Sequence, residues 1–322
     1  MQTQHSGNDR PMKIAFLLLT DFSMMAFASL MEPLRSANRT MNKECYAWKF
    51  VSVDGKPAAS SSGAMIMADS GMLQNEDADV ICLVAGMNVS YHCTDELMGW
   101  LRQQAVRGAM IGSLSTGTYV LAKAGLLDGK RCTTHWEGLD SFKEVFPDVD
   151  FTGSLYEVDG NRFTCAGGNA AFDLALCWIG EQYGSRIKAA VSDQFLHGTG
   201  REAAEPQKNS AVERYGIHNE KLLSVVNLME ENLEEPLSRQ QLADRVAVTI
   251  RQLERLFSKY LGTSPSHFYL RLRLDRARYL LRQTAMPISE IAIACGFVNF
   301  SHFARSYRNQ FAHSPSEERV PE

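Results

Sequence analysis

The C-terminal third of the chain contains the same unit twice. Leu253, Arg255, Phe257 and Leu261 correspond, fifty positions on, to Phe303, Arg305, Tyr307 and Phe311, and Ser264-Pro265 corresponds to Ser314-Pro315. Upstream, Leu242-Ala243 corresponds to Ile291-Ala292 at an offset of forty-nine, so one turn is a residue longer. Duplication of one supersecondary unit is the economical explanation. Each copy reads as helix, tight turn, helix. In the first, Ser238 is the expected N-cap of Arg239–Arg245. Thr249 is the expected N-cap of a second helix through Tyr260, which Gly262 stops. In the second, Ile288–Cys295 is the first helix, Gly296 the turn, and Asn299 or Ser301 opens the second helix. Ile250, Leu253, Phe257 and Leu261 form one apolar stripe, and Phe300, Phe303 and Tyr307 are expected to form the other. Between the copies Pro265 starts a long helix through about Gln283, carrying Arg271, Arg273, Arg276, Arg278 and Arg282.

Charge follows the same division. The 322-residue chain has a net charge of −4, yet from Ser238 to Ala312 twelve Lys/Arg face four Asp/Glu. A basic segment on an otherwise acidic chain is an electrostatic footprint for nucleic acid. A helical bundle with a basic surface would share that charge, but not the duplicated helix-turn-helix with arginine at the same place in each copy. The second helix of such a unit presents its N-terminal side chains to base edges in the major groove. Arginine binds guanine bidentately, and Gln, Asn and Ser read or position. Basic flanks neutralise phosphates. The expected DNA-facing residues are Arg251, Gln252, Glu254 and Arg255 in the first copy, and Asn299, Ser301, His302 and Arg305 in the second.

Residues 13–197 have another texture. Short β-rich runs (Lys13–Leu19, Ala47–Val53, Val80–Val84, Ala109–Ser113, Phe163–Cys165) alternate with helical patterns (Met24–Arg39, Thr94–Arg107, Gly117–Ala124, Ala170–Tyr183). This alternation predicts an α/β domain with a mostly parallel sheet covered by helices on both faces. It is followed by an all-α C-terminal domain over 217–322. The polar stretch 198–216 reads as a linker and residues 1–12 as a disordered lead-in without an export signal. No run approaches the ~20 apolar residues of a membrane span. The seven cysteines include no Cys-x-x-Cys pair, which predicts reduced, mostly buried thiols in a cytoplasmic protein, with no metal site and no cofactor.

Within the α/β part, the turn G-S-L-S-T-G at Gly112–Gly117 leads from a strand into a helix, with Ser115 at its tip. It looks like a nucleophile elbow, though Ser113 stands where the first glycine of the strict motif would be. Free N–H groups at the start of that helix are a second possible use, as an anion site.

The run from Leu222 to Arg319, with I-S-E-I-A-I-A-C-G-F-V-N-F-S-H-F-A-R-S-Y-R-N-Q-F-A-H-S-P-S, resembles the AraC-type DNA-binding domain. The resemblance implies two helices entering successive major-groove segments at a spacing set by the long linking helix. It assigns base contacts to Arg251, Glu254, Arg255, Ser301 and Arg305. Ala312 stands where that family usually has glycine and Glu318 where it has an aromatic, so the last helix is expected to pack weakly. The N-terminal part resembles the PfpI-like, glutamine-amidotransferase-like fold. It does so through K-I-A-F-L-L-L, F-S-M-M-A-F-A-S-L-M-E-P-L-R-S-A-N-R, S-T-G-T-Y-V-L-A-K-A-G-L-L-D-G and T-T-H-W. The whole chain is thereby similar to the GlxA family of regulators.

Enzymatic relatives of this fold carry a cysteine at the elbow with a glutamate and often a histidine nearby; here Ser115, Glu32 and His135 match those positions. The resemblance implies an active-site pocket reused to bind an effector, lined by Phe22, Glu32, Ser115, Thr116, His135 and Trp136. The stretch E-P-L-R-S-A-N-R is similar to that of regulators responding to betaine, carnitine, arginine and related nitrogen compounds. Glu32 would suit a cationic nitrogen, and Trp136, Phe22 or Tyr156 would offer it an aromatic face. Each residue also has a plain structural reading: Glu32 paired with Arg35, His135 and Trp136 as core. The expected function is a ligand-responsive transcription regulator, an activator by resemblance. Its expected partners are promoter DNA, a small-molecule effector, RNA polymerase and a second copy of itself, with no membrane. The competing readings are a Ser115 hydrolase or amidase tethered to DNA, and a DNA binder indifferent to ligands.

Overall fold

The computed structural model describes residues 10–74, 77–198, 200–207, 214–217 and 219–319. They fall into two compact units, Met1–Gln207 and Lys208–Glu322. Among the described residues no helix is long and apolar enough to cross a membrane.

The first unit is built on a seven-stranded sheet. Its strands are β1 (Met12–Leu18), β2 (Tyr46–Ser52), β5 (Ser70–Gly71), β6 (Val80–Val84), β7 (Met110–Leu114), β10 (Tyr156–Asp159) and β11 (Arg162–Cys165). Two small two-stranded sheets supply β3 (Ala58–Ala59) with β4 (Met65–Ile66), and β8 (Arg131–Cys132) with β9 (Asp150–Phe151). The order in the large sheet is β10-β11-β7-β6-β1-β2-β5, and every pair is parallel except β10 with β11. Strands covered on both faces need apolar residues at every position; β6 reads Val-Ile-Cys-Leu-Val and is buried throughout.

Six helices cover the sheet: α1 (Met24–Met41), α2 (Asp95–Val106), α3 (Thr118–Lys123), α4 (Trp136–Val145), α5 (Ala170–Tyr183) and α6 (Ser185–Gln194). One face packs Phe16, Leu18 and Val84 against Leu30 of α1, Leu174 of α5 and Val191 of α6. The other packs Leu17, Ile81 and Ile111 against Leu97 and Trp100 of α2, Val120 of α3 and Phe142 of α4. The chain leaves β1 for β2 on one side and later returns to β6 on the other. The strand order therefore reverses between β1 and β6, where open α/β sheets form their ligand crevice.

The second unit is helical: α7 (Glu220–Glu231), α8 (Arg239–Arg245), α9 (Ile250–Leu261), α10 (Pro265–Gln283), α11 (Ile288–Ala294), α12 (Phe300–Phe311) and α13 (Pro315–Glu318). Its helix ends are those the caps dictate. Ser238 and Thr249 form capping boxes with Gln241 and Gln252, Asn299 caps α12, and Gly262 ends α9 at φ 63°. Two apolar clusters result. Leu242, Leu253, Phe257 and Phe268 build one; Leu280, Ile291, Phe303 and Tyr307 build the other, and α10 runs through both.

Four expectations change. Phe300 does not pack inward with Phe303 and Tyr307; it is 51% exposed, with its ring 6.1 Å from the buried Phe303 ring at the edge of the stripe. The last helix is not weakly held, since Glu318 is buried among polar partners described below. Of the lead-in, residues 1–9 lie outside the described residues, whereas Arg10 pairs with Asp79 at 2.8 Å and Met12 opens β1. Of the linker, 199 and 208–213 lie outside the described residues, and 200–207 is packed on the first unit. Arg201 binds the buried Asp173 at 2.8 Å, Leu155 N donates to Ala203 O at 2.8 Å, and Gln207 Nε2 donates to Ser154 O at 2.7 Å. Residues 200–207 are apolar-poor, which hid this docking: polar and backbone hydrogen bonds hold the segment down.

Candidate functional site

In the second unit, α9 turns Leu253 and Phe257 inward and leaves Arg251, Gln252, Glu254 and Arg255 exposed on the other side. Gln252 spends its carbonyl on the cap, accepting from Thr249 N at 2.8 Å, so its amide NH₂ is the group left to face a ligand. Glu254 accepts from Arg239 at 3.0 Å, a pair with both side chains about half exposed. In α12, Ser301, His302 and Arg305 are exposed while Phe303 and Tyr307 are buried. Asn299 Oδ1 accepts from His302 N at 3.1 Å, which makes Asn299 a helix cap first.

The arginines of α10 divide. Arg273 donates to the carbonyls of Cys295 and Gly296, both at 2.7 Å, and its guanidinium lies 4.1 Å from the centre of the Phe297 ring. It thus holds the turn of the second helix-turn-helix. Arg278 and Arg282 bind Glu318. These three are structural, so the phosphate-facing charge rests on other residues. Gly296, at φ 74°, allows that turn to close on the α7–α8 loop: a Cβ there would stand 2.6 Å from Pro236 Cγ and 2.7 Å from Leu233 O.

In the first unit, Ser115 sits at φ 59°, a left-handed conformation that is strained for serine and typical of a strand-to-helix elbow. Four loops from the C-terminal ends of strands surround it. Thr116 Oγ1 donates to Gly86 O at 2.6 Å, after β6. Gly86 in turn abuts Asp21 and Ser23, after β1. Thr134 Oγ1 donates to Ser115 O at 3.0 Å, after β8. Gly167, after β11, comes so near that a Cβ there would lie 2.9 Å from Ser115 Cβ. Beneath the elbow a chain of hydroxyls links Ser113 to Thr118 at 3.0 Å, Thr118 to Thr133 O at 2.8 Å, and Thr133 N to Thr164 at 2.8 Å.

Ser115 and Thr116 form the elbow, and Thr134, which donates to Ser115 O, is followed in the chain by His135 and the 37% exposed Trp136. His135 Nδ1 lies 3.5 Å from Glu137 Oε2 in the first turn of α4. Phe22 is wholly buried, in edge contact with Phe27, and is core. Glu32 pairs with Arg35 at 2.7 Å. It stands nine residues beyond Ser23, roughly 13 Å along α1 at 1.5 Å per residue. Tyr156 is buried, and burial pushes its phenol upward. α3, with six residues, offers a poor anion site. The carboxylate at the crevice is Asp21, at φ 63°, whose Oδ2 accepts from Asn88 at 3.3 Å. Its place directly after β1 was the available signal. The thiol under the crevice, Cys165, is pushed up to about 12 by burial and is inert.

The DJ-1/PfpI family matches residues 12–181, and a helix-turn-helix domain matches residues 242–320. The HTH-type transcriptional regulator CdhR of Pseudomonas aeruginosa is 45% identical over 305 residues, covering 95% of this chain and 90% of that protein. The regulator GlxA of Rhizobium meliloti is 36% identical over 304 residues, 94% of either chain. The chain belongs to the GlxA family of AraC-type transcription regulators. A crystal structure of an AraC family transcriptional regulator from Pseudomonas putida, at 27% identity and TM-score 0.53, covers 57% of this chain and 100% of its own. This GlxA-family chain is therefore a DNA-binding regulator and not an enzyme, although the DJ-1/PfpI fold also serves enzymes.

Proposed function

We propose that this regulator answers to a small nitrogen-containing metabolite of the betaine, carnitine or amino-acid class, held in the crevice around Ser115. The observation that carries the reading is the meeting of four loops on a strained serine, one strand from the point where strand order reverses. Asp21 supplies a negative charge beside it, in place of Glu32, and Trp136 an exposed ring for a cationic nitrogen. Ser115 and Thr116 line the floor and His135 the wall. The bound effector favours one arrangement of a homodimer, which presents two pairs of recognition helices to repeated promoter half-sites and to RNA polymerase, activating transcription. Base contacts fall to Arg251, Gln252, Glu254 and Arg255, and to Ser301, His302 and Arg305.

The test is thermal unfolding of the full chain against betaines, carnitine, amino acids and polyamines. A ligand at a hundred times its dissociation constant adds about 2.7 kcal/mol. We expect one compound to raise the midpoint, and Asp21→Asn and Trp136→Ala to remove that shift while Ser115→Ala keeps it. A panel with no shift overturns the nitrogen-metabolite reading.

A further inference from the structure

The two recognition helices present unlike surfaces. Val298 is fully exposed and Phe300 is 51% exposed, one on either side of the cap Asn299. Their counterparts in the first copy, Val248 and Ile250, are partly buried against the cluster of Leu242, Leu253 and Phe257. Exposure at these positions is therefore a property of the second unit and not of the motif. The Phe300 ring is also held. It lies 6.1 Å from the Phe303 ring, which is buried against Phe297 and Tyr307, so it projects from the first turn of α12 in a set direction. Around it are the exposed side chains Ser301, His302 and Arg305.

A large apolar group inside a basic, polar face has one apolar counterpart on duplex DNA. In the major groove that is the C5-methyl of thymine, and the start of the second helix is the part that meets base edges. We propose that Val298 and Phe300 are specificity-determining residues that read thymine methyl groups in the half-site taken by α12, whereas α9 reads its half-site through Arg251, Gln252 and Arg255. This rests on α12 being a recognition helix.

The experiment begins with selection of binding sequences from random duplex DNA by the full chain. The half-site whose base preference relaxes in Arg305→Ala belongs to α12. Deoxyuridine is then substituted for thymidine in each half-site in turn. A methyl group is worth about 0.8 kcal/mol on burial, so affinity should fall roughly four-fold per thymine in the α12 half-site. The α9 half-site should show no such loss, and Phe300→Gln should abolish the sensitivity. A selected motif whose binding ignores uracil in the α12 half-site overturns the proposal and leaves the recognition helix standing. A selection that enriches no motif overturns both. Unchanged DNA affinity of Phe300→Gln with lost promoter activation would assign the patch to a protein partner and likewise overturn the proposal.

Discussion

Glu318 stands where AraC-type domains usually carry an aromatic ring, and it fills the place with charge. Its side chain is 3% exposed and accepts from Tyr307 at 2.9 Å, from Arg278 at 3.2 Å, and from Arg282 and His313. Burial alone would raise its pKa, but hydrogen bonds from His313, Tyr307, Arg278 and Arg282 outweigh it and hold the group at about 2, below the ordinary 4.5. A folded-state pKa below the unfolded one gives stability that is complete above about 4.5 and lost as pH falls toward 2. The helical unit should lose stability over that window in acid titrations followed by circular dichroism, and Glu318→Gln should flatten the dependence. The same variant should cost about 2 kcal/mol in urea unfolding at pH 7. That is less than for a fully buried pair, because the two arginines keep 34–36% of their side chains in solvent. Ala312 offers the opposite sign. It closes α12 at φ 68°, where a Cβ is strained. Ala312→Gly should raise the stability of this unit by about 1 kcal/mol, and no gain in the urea midpoint would show that the strain is absorbed elsewhere.

Among elements, α10 shows how a basic helix need not be a DNA-facing one. Arg273, Arg278 and Arg282 point to the second helix-turn-helix and its terminal helix, so α10 works as a brace. Arg273→Ala removes two hydrogen bonds to the Cys295–Gly296 turn and the stacking on Phe297. We expect a loss of about 2 kcal/mol and faster amide exchange at Phe297 than at Leu253; equal exchange in the two copies would contradict the brace. The helix limits themselves were legible in the sequence. Pro265, Gln283 and Gly262 bound their helices where caps and stops put them, because those signals act within one turn. α4, α6 and β10 were not read. α4 buries Gly138 and Ser141 beside Phe142, small residues that leave a weak apolar pattern, and β10 is a four-residue edge strand.

For the molecule as a whole, the segment 200–207 is the last described part of the first unit before the second begins. Arg201 anchors it on Asp173, and Gln207 ends it on Thr133, Thr134 and Ser154, one residue's contact away from Ser115. Arg201→Ala leaves the Asp173 carboxylate, wholly buried, with only the backbone N–H of residue 201 at 2.9 Å and His197 at 3.4 Å. It should cost the first unit about 2 kcal/mol and open 200–207 to limited proteolysis; unaltered cleavage would show that Gln207 and Ala203 suffice. Alternation of strand and helix, the duplicated unit, the caps and the elbow were determined by the sequence itself, since each is written in neighbours within a few residues. Tertiary structure alone decided that Asp21 stands against the loop of Gly86 and Asn88, and that Phe22 is core while Phe300 is surface. It also decided that three arginines turn inward and that a polar segment docks. Those outcomes depend on which distant backbone lies opposite a side chain, and local periodicity carries no record of it.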